Sequence, residues 1–260
     1  MIGAILGDIV GSIYEYDNIK TKDFELFNYN CMFTDDTVMT IAVAKALSQY
    51  NRADGEEILK INLIKIMHEL GNLYPDVGYG GHFCDWLLDG LTKPYNSYGN
   101  GSAMRVSYVG EWANSLDEAE KIAKATAEIT HNHPEGIKGA QSVAGAVYLA
   151  KIGKSKEEIK EYVSKYYDIN FTLDDIRPTY KFEVSCQKSV PVAFEAFFES
   201  NSFEDAIRCA ISVGGDSDTI GAITGSVAEN FYGIDDDLKY TALSYIDNYL
   251  LDEIEKIMQK

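Results

Sequence analysis

Cysteine is scarce. Cys31, Cys84, Cys186 and Cys209 are the only four in 260 residues, and no two form a CxxC pair. Neither a disulfide framework nor a zinc ribbon is indicated, and a reducing cytoplasm is the expected compartment. Positive charge is also short: 23 Lys and Arg face 41 Asp and Glu, a formal net charge of −18. Lys and Arg dominate binding to a phosphate backbone, so general nucleic-acid binding is not expected. No apolar run approaches the roughly 18–20 residues that cross a bilayer, so no membrane segment is expected. The opening Met1-Ile2-Gly3-Ala4-Ile5-Leu6-Gly7-Asp8 lacks a basic stretch and is interrupted by Asp8, unlike a signal peptide. No Pro/Gly/Ser-rich linker, low-complexity tract or fixed-period repeat divides the chain, so residues 1–260 are expected to form one domain.

What is present is helical pattern over a hydrophobic content of 46%, enough for a sizeable core. Ser115-Leu-Asp-Glu118 and Ser155-Lys-Glu-Glu158 fit the capping box, opening helices to about Ile129 and Tyr167. Ser202-Phe-Glu-Asp205 is a looser version with acidic first-turn residues. Pro134 and Pro191 each suit a first helical turn. Leu243, Ile246, Leu250, Ile254 and Ile257 recur at helical spacing, which predicts one amphipathic C-terminal helix. Val38–Leu47, Ala140–Ala150 and Ile220–Phe231 are apolar or small nearly all round, as interior helices are. Strand signals are weak; only Tyr180–Cys186 alternates, too short to build a sheet alone. The expected fold is all-α: a compact single-domain helical bundle with buried central helices and a binuclear metal site.

Two acidic clusters open the most interior helices. Phe33-Thr34-Asp35-Asp36-Thr37 precedes one, and Gly214-Gly215-Asp216-Ser217-Asp218-Thr219 precedes the other. Each alone reads as an N-cap with a favourable acidic first turn. Adjacent carboxylates at the mouth of a buried helix nevertheless repel unless a cation joins them. If the clusters meet, four Asp and two Thr hydroxyls converge with no Lys or Arg in either motif. Hard oxygen ligands of that kind suit Mg²⁺ or Mn²⁺, and four carboxylates suit two such ions.

Other segments are weaker signals. Gly3, Gly7, Gly11 and Glu15 recur every four residues, one stripe of a helix where glycine lets another backbone approach. Glu15 then reads either as a solvated end of a packing groove or as part of a site. Gly99-Asn100-Gly101-Ser102 is a glycine-rich loop entering a helix, a junction whose N–H groups can bind phosphate. His131-Asn132-His133 has no third soft ligand at a recognisable spacing, so zinc is not indicated. His68 and His82 have no local partners.

Together the motifs resemble the ADP-ribosylglycohydrolase family. The matching segments are Gly3-Ala-Ile-Leu-Gly-Asp-Ile-Val-Gly-Ser-Ile-Tyr-Glu15, Phe33-Thr-Asp-Asp-Thr37, Gly99-Asn-Gly-Ser-Ala-Met-Arg105, Ile129-Thr-His-Asn-His-Pro-Glu-Gly136, Ser185-Cys-Gln-Lys-Ser-Val-Pro191 and Val213-Gly-Gly-Asp-Ser-Asp-Thr-Ile-Gly221, in the family's order across nearly the whole chain. The resemblance implies an all-α hydrolase with two Mg²⁺ or Mn²⁺ held by Thr34, Asp35, Asp36, Asp216, Asp218 and Thr219, with Asp218 bridging. It implies a catalytic or gating role for Glu15 beside Asp35 and Asp36, and a diphosphate and distal-ribose site at Gly99, Asn100, Gly101, Ser102 and His131. The implied partner is an ADP-ribosylated protein or another ADP-ribosyl conjugate, cleaved at C1″ of the ribose. Tyr50–Tyr98 and Asp168–Tyr180 match nothing specific, so the acceptor stays open. Two alternatives stand beside it: a Mg²⁺-dependent hydrolase of another nucleoside or phosphate ester, since Asp216-Ser-Asp218 is superficially similar to a phosphatase DxD, and a non-catalytic ADP-ribose binder or structural homologue.

Overall fold

The computed structural model describes residues 1–259, and among them helices are joined by turns and irregular segments without a single strand. The alternating Tyr180–Cys186 segment runs as irregular backbone and makes one isolated antiparallel bridge, Ser185 to Gly99. Alternation alone cannot make a strand when no neighbour supplies a ladder. No helix of the described residues is long and apolar enough to cross a membrane.

The architecture is set by one helix pair. Every residue of the N-terminal helix Ile2–Gly11 is buried, and so is Ser217–Ala228 of the helix Ser217–Tyr232. The two cross with almost no side chain between them. A Cβ on Gly221 would lie 2.5 Å from the Gly7 carbonyl oxygen, and one on Gly11 would lie 2.5 Å from Asp218 Cα. Gly3 faces Gly225 in the same way. The pairing Gly3–Gly225, Gly7–Gly221 and Gly11–Asp218 makes the helices antiparallel. The end of the first helix therefore lies beside the start of the second, which places Asp8 and Glu15 at the Asp216–Asp218 end. The helices Asp35–Gln49 and Pro134–Lys151 complete the buried centre, and one continuous hydrophobic cluster runs through all four.

Amphipathic helices cover this centre, and their caps explain where they begin. Ser155 and Glu158 form the full reciprocal capping box, and the helix ends at Val163, short of Tyr167. Ser115 accepts from the Glu118 N–H, but the Glu118 carboxylate turns instead to the Asn114 N–H, 2.7 Å away. Ser202 accepts from the Asp205 N–H as expected. Pro134 occupies the first turn of its helix. Pro191 does not: Ser185 begins that helix, Cys186–Glu199, and Pro191 falls inside it. The C-terminal pattern is also two helices rather than one. Asp236–Leu243 stops, and Asp247 caps Asn248–Met258 by accepting from the Leu250 N–H at 3.0 Å.

Candidate active site

The two acidic motifs meet. Thr219 donates its hydroxyl to Asp36 Oδ2 at 3.1 Å across 183 residues of sequence. Thr34 caps the Asp35–Gln49 helix, while Gly214 and Gly215 turn the chain with φ of +68° and +82° so that Asp216 begins the other helix. Both helices thus present their first turns to one cavity of about 420 Å³. Asp35, Asp36, Asp216, Asp218, Thr219 and Glu15 line it. Carboxylate oxygens of Glu15, Asp216 and Asp218 all lie within 4.8 Å of one another.

None of these carboxylates joins an ion pair among the described residues; the Arg105 guanidinium also lines the cavity but bonds to Thr126 and Thr130 instead. Burial first, then the charge of Asp8 and Asp216, holds Asp35 well above the usual carboxylate range. Burial and the charges of Asp8 and Asp35 do the same to Asp36. Asp218 is raised well above that range by burial and then by Asp216, Asp36 and Glu15. Asp216 and half-buried Glu15 are raised too, mainly by burial. Asp36 Oδ1 is buried without any hydrogen-bond partner. A buried acceptor normally has a donor, and buried like charges disfavour ionisation unless a counter-charge arrives. Orphaned oxygen, crowded carboxylates and hydroxyls together fit hard divalent cations.

Sequence reasoning passed over Asp8 except as an interruption of an apolar run. It is fully buried and accepts four hydrogen bonds: Thr34 N (2.9 Å), Thr34 Oγ1 (2.7 Å), Thr37 N (3.0 Å) and Thr37 Oγ1 (2.5 Å). Burial still lifts its carboxyl to about 6 against the pull of these donors. A charged residue within a helix apolar all round was the available signal, since such a charge needs partners. Thr34 itself does not line the cavity; its proton goes to Asp8 and its oxygen accepts from the Asp36 N–H.

The glycine-rich loop forms another wall. Gly99, Asn100 and Gly101 line the cavity, whereas Ser102 is buried beneath it, donating to the Gly136 carbonyl at 2.7 Å. Two of the loop's N–H groups are already engaged: Gly99 N donates to Ser97 Oγ and Asn100 N to the Val184 carbonyl. Asn100 also donates its side-chain amide to Asp216 Oδ2 at 2.7 Å, tying this loop to the acidic cluster. His131 lines the cavity behind the loop, while His133 instead caps the Pro134–Lys151 helix.

Further walls come from segments that carried no motif. Gly78, Tyr79, His82 and Phe83 line one side, and Asp35 is tied to that segment by donating its N–H to the Val77 carbonyl at 2.9 Å. Tyr16 and Phe182 stack with ring centroids 6.2 Å apart at the opening, Tyr16 being 84% exposed.

The ADP-ribosylglycohydrolase family model matches residues 1–257. The chain is 26% identical to the human ADP-ribosylhydrolase ARH3 over 315 aligned residues, covering 90% of this chain and 85% of that protein. It is 27% identical to the ADP-ribosyl-dinitrogen-reductase glycohydrolase of Rhodospirillum rubrum, covering 78% and 70%, and 24% identical to the ADP-ribosylarginine hydrolase Tri1 of Pseudomonas putida, covering 90% and 70%. A solved structure titled as an ADP-ribosylglycohydrolase-related protein complex superposes with a TM-score of 0.61 at 20% identity, over 99% of this chain and 94% of that one. That last likeness concerns the fold alone.

Proposed function

This chain belongs to the ADP-ribosylglycohydrolase family, and from that premise we propose that residues 1–260 form one metal-dependent hydrolase domain that cleaves the C1″ glycosidic bond of ADP-ribose on an acceptor. The acceptor is a protein side chain or another ADP-ribosyl conjugate. The observation that carries the reading is the convergence of Asp35, Asp36, Asp216 and Asp218 in one cavity without an ion pair to any of them, with Asp36 Oδ1 left unpartnered.

Thr34, Asp35, Asp36, Asp216, Asp218 and Thr219 would hold two Mg²⁺ or Mn²⁺. Asp8 takes the Thr34 proton and the Asp36 N–H takes one lone pair of its oxygen, which leaves one lone pair of Thr34 for a ligand role. Such ions, when bound, supply positive charge that fixes ribose hydroxyls and polarises a water. The chain's own residues do the rest. Glu15, with its oxygens within 4.8 Å of Asp216 and Asp218 oxygens, would orient the attacking water and accept its proton. The carboxylates would stabilise the oxocarbenium charge that develops at C1″. Gly99, Asn100, Gly101 and Ser102 with His131 shape the diphosphate and distal-ribose side. A receptive pocket of this kind needs no basic surface, which accommodates the net charge of −18.

The test is incubation with Mg²⁺ or Mn²⁺ and arginine-, serine- and nucleic-acid-linked ADP-ribose, following free ADP-ribose. Release from at least one conjugate is expected; release from none would refute the reading.

A further inference from the structure

Behind the glycine-rich loop lies a chain of three buried polar groups. Arg105 is 1% exposed, Thr130 is 0% exposed and His131 is 5% exposed. Arg105 Nη2 donates to Thr130 Oγ1 at 2.9 Å and to the Thr126 carbonyl at 3.2 Å. Thr130 Oγ1 lies 2.8 Å from His131 Nδ1. Arginine can only donate, so the Thr130 oxygen is the acceptor in the first contact. Its own proton must then find an acceptor, and His131 Nδ1 is the one within reach. Were Nδ1 protonated, Thr130 Oγ1 would accept from both Arg105 and His131, and the buried Thr130 proton would be left without an acceptor.

We infer that Thr130 and Arg105 are positioning residues that hold His131 as a neutral ring with its proton on Nε2, aimed into the cavity. Nε2 makes no hydrogen bond among the described residues, and it stands against the loop: a Cβ on Gly101 would lie 3.2 Å from it and one on Gly99 3.5 Å. Glycine at position 101 leaves the ring its room, whereas a Cβ at position 99 would meet it at ordinary contact distance. Burial, then the neighbouring Arg105 charge, pulls the His131 pKa well below its ordinary value, consistent with a ring that stays neutral. Arg105, lowered by burial to about 10, remains a cation at neutral pH. The loop side of the pocket thus offers a fixed, uncharged N–H donor that suits an oxygen acceptor of the ligand. That last step rests on the ADP-ribose reading of the pocket; the tautomer does not.

The experiment is imidazole ¹⁵N NMR of the full-length protein, which distinguishes a protonated from an unprotonated ring nitrogen, with ADP-ribose titrated in parallel. Wild type should show His131 protonated at Nε2 alone. Thr130→Val should scramble the two tautomers and weaken ADP-ribose binding about tenfold, as loss of one aligned donor does, whereas Thr130→Ser should restore both. A wild-type ring protonated at Nδ1, or an unchanged tautomer in Thr130→Val, would overturn the inference; the wild-type spectrum decides even if a variant fails to fold. A ring protonated at Nε2 in a protein that binds no ADP-ribose would uphold the relay and refute the reading of the pocket instead.

Discussion

Replacing Gly7 by Ala perturbs the helix pair on which the acidic cluster is built. The added methyl would overlap the Gly221 carbonyl and lie 2.7 Å from Ala222 N. These are backbone atoms in the middle of a buried helix, so no rotamer change relieves the clash. Overpacking of a tight core costs about 1–3 kcal/mol, and the rigid neighbours put this site at the upper end. Alanine returns up to about 1 kcal/mol of helix propensity. The net destabilisation is therefore about 2 kcal/mol, which for a domain of this size lowers Tm by roughly 4–8 °C. Because the pair aligns Asp8 with Asp218, prying it apart should also cost activity, on the order of 10²-fold for an ångström of misplacement. Gly81, the first residue of the helix Gly81–Leu88, has nothing within 4 Å of its would-be Cβ. Gly81→Ala should leave Tm unchanged or slightly raised. Paired thermal unfolding curves check both. A Gly7→Ala protein as stable as wild type would refute the claim that the helices touch through their backbones.

Asp218→Ala should be the most damaging single change among the proposed metal ligands; calorimetric Mg²⁺ titration should show lost binding along with lost turnover. Glu15→Gln should lower turnover by roughly 10²-fold or more, the range of general-base loss, while metal content and ADP-ribose affinity change much less; wild-type turnover would make Glu15 a solvated bystander. In chelator, stability should fall as pH rises. Asp8 and the ligand carboxylates have folded pKa values above their unfolded ones, so the native state binds the extra protons. Their contribution is full below about pH 4 and is lost as pH climbs through the Asp8 value of about 6 and beyond. Unfolding in EDTA at pH 5 and pH 8 measures this, and Mg²⁺ should narrow the gap by stabilising the pH 8 protein, since ligand that binds only the native state adds RT ln(1 + [L]/Kd).

Much of this site was legible in the sequence, for physical reasons that differ by residue. Gly3, Gly7 and Gly11 announce a backbone contact because nothing but close approach explains small residues at helical spacing, and Gly225 and Gly221 sit opposite them. Asp35, Asp36, Asp216 and Asp218 stood out because carboxylates opened helices with no polar face. Their meeting was a condition the sequence could pose and the fold supplies, through the Thr219 to Asp36 bond. Asp8 stayed hidden because its partners, Thr34 and Thr37, come from another helix and are hydroxyl and amide donors rather than charges. The wall from Gly78 to Phe83 has no periodicity to read, and the bond from Asp35 N to the Val77 carbonyl ties it to the site. Pro191 and the break before Asp247 show the limit of local rules: tertiary packing carries a proline inside one helix, and an aspartate cap divides another whose apolar spacing runs on.

The most direct test of the central claim is release of free ADP-ribose from a conjugate by the purified protein, measured with Mg²⁺ or Mn²⁺, with excess EDTA, and with Zn²⁺ after chelation. Release with Mg²⁺ or Mn²⁺, its abolition by EDTA, restoration by the same ions and poor rescue by Zn²⁺ are predicted, because the proposed ligands are all hard oxygens. Full activity in excess chelator, from protein shown to carry no metal, would contradict it.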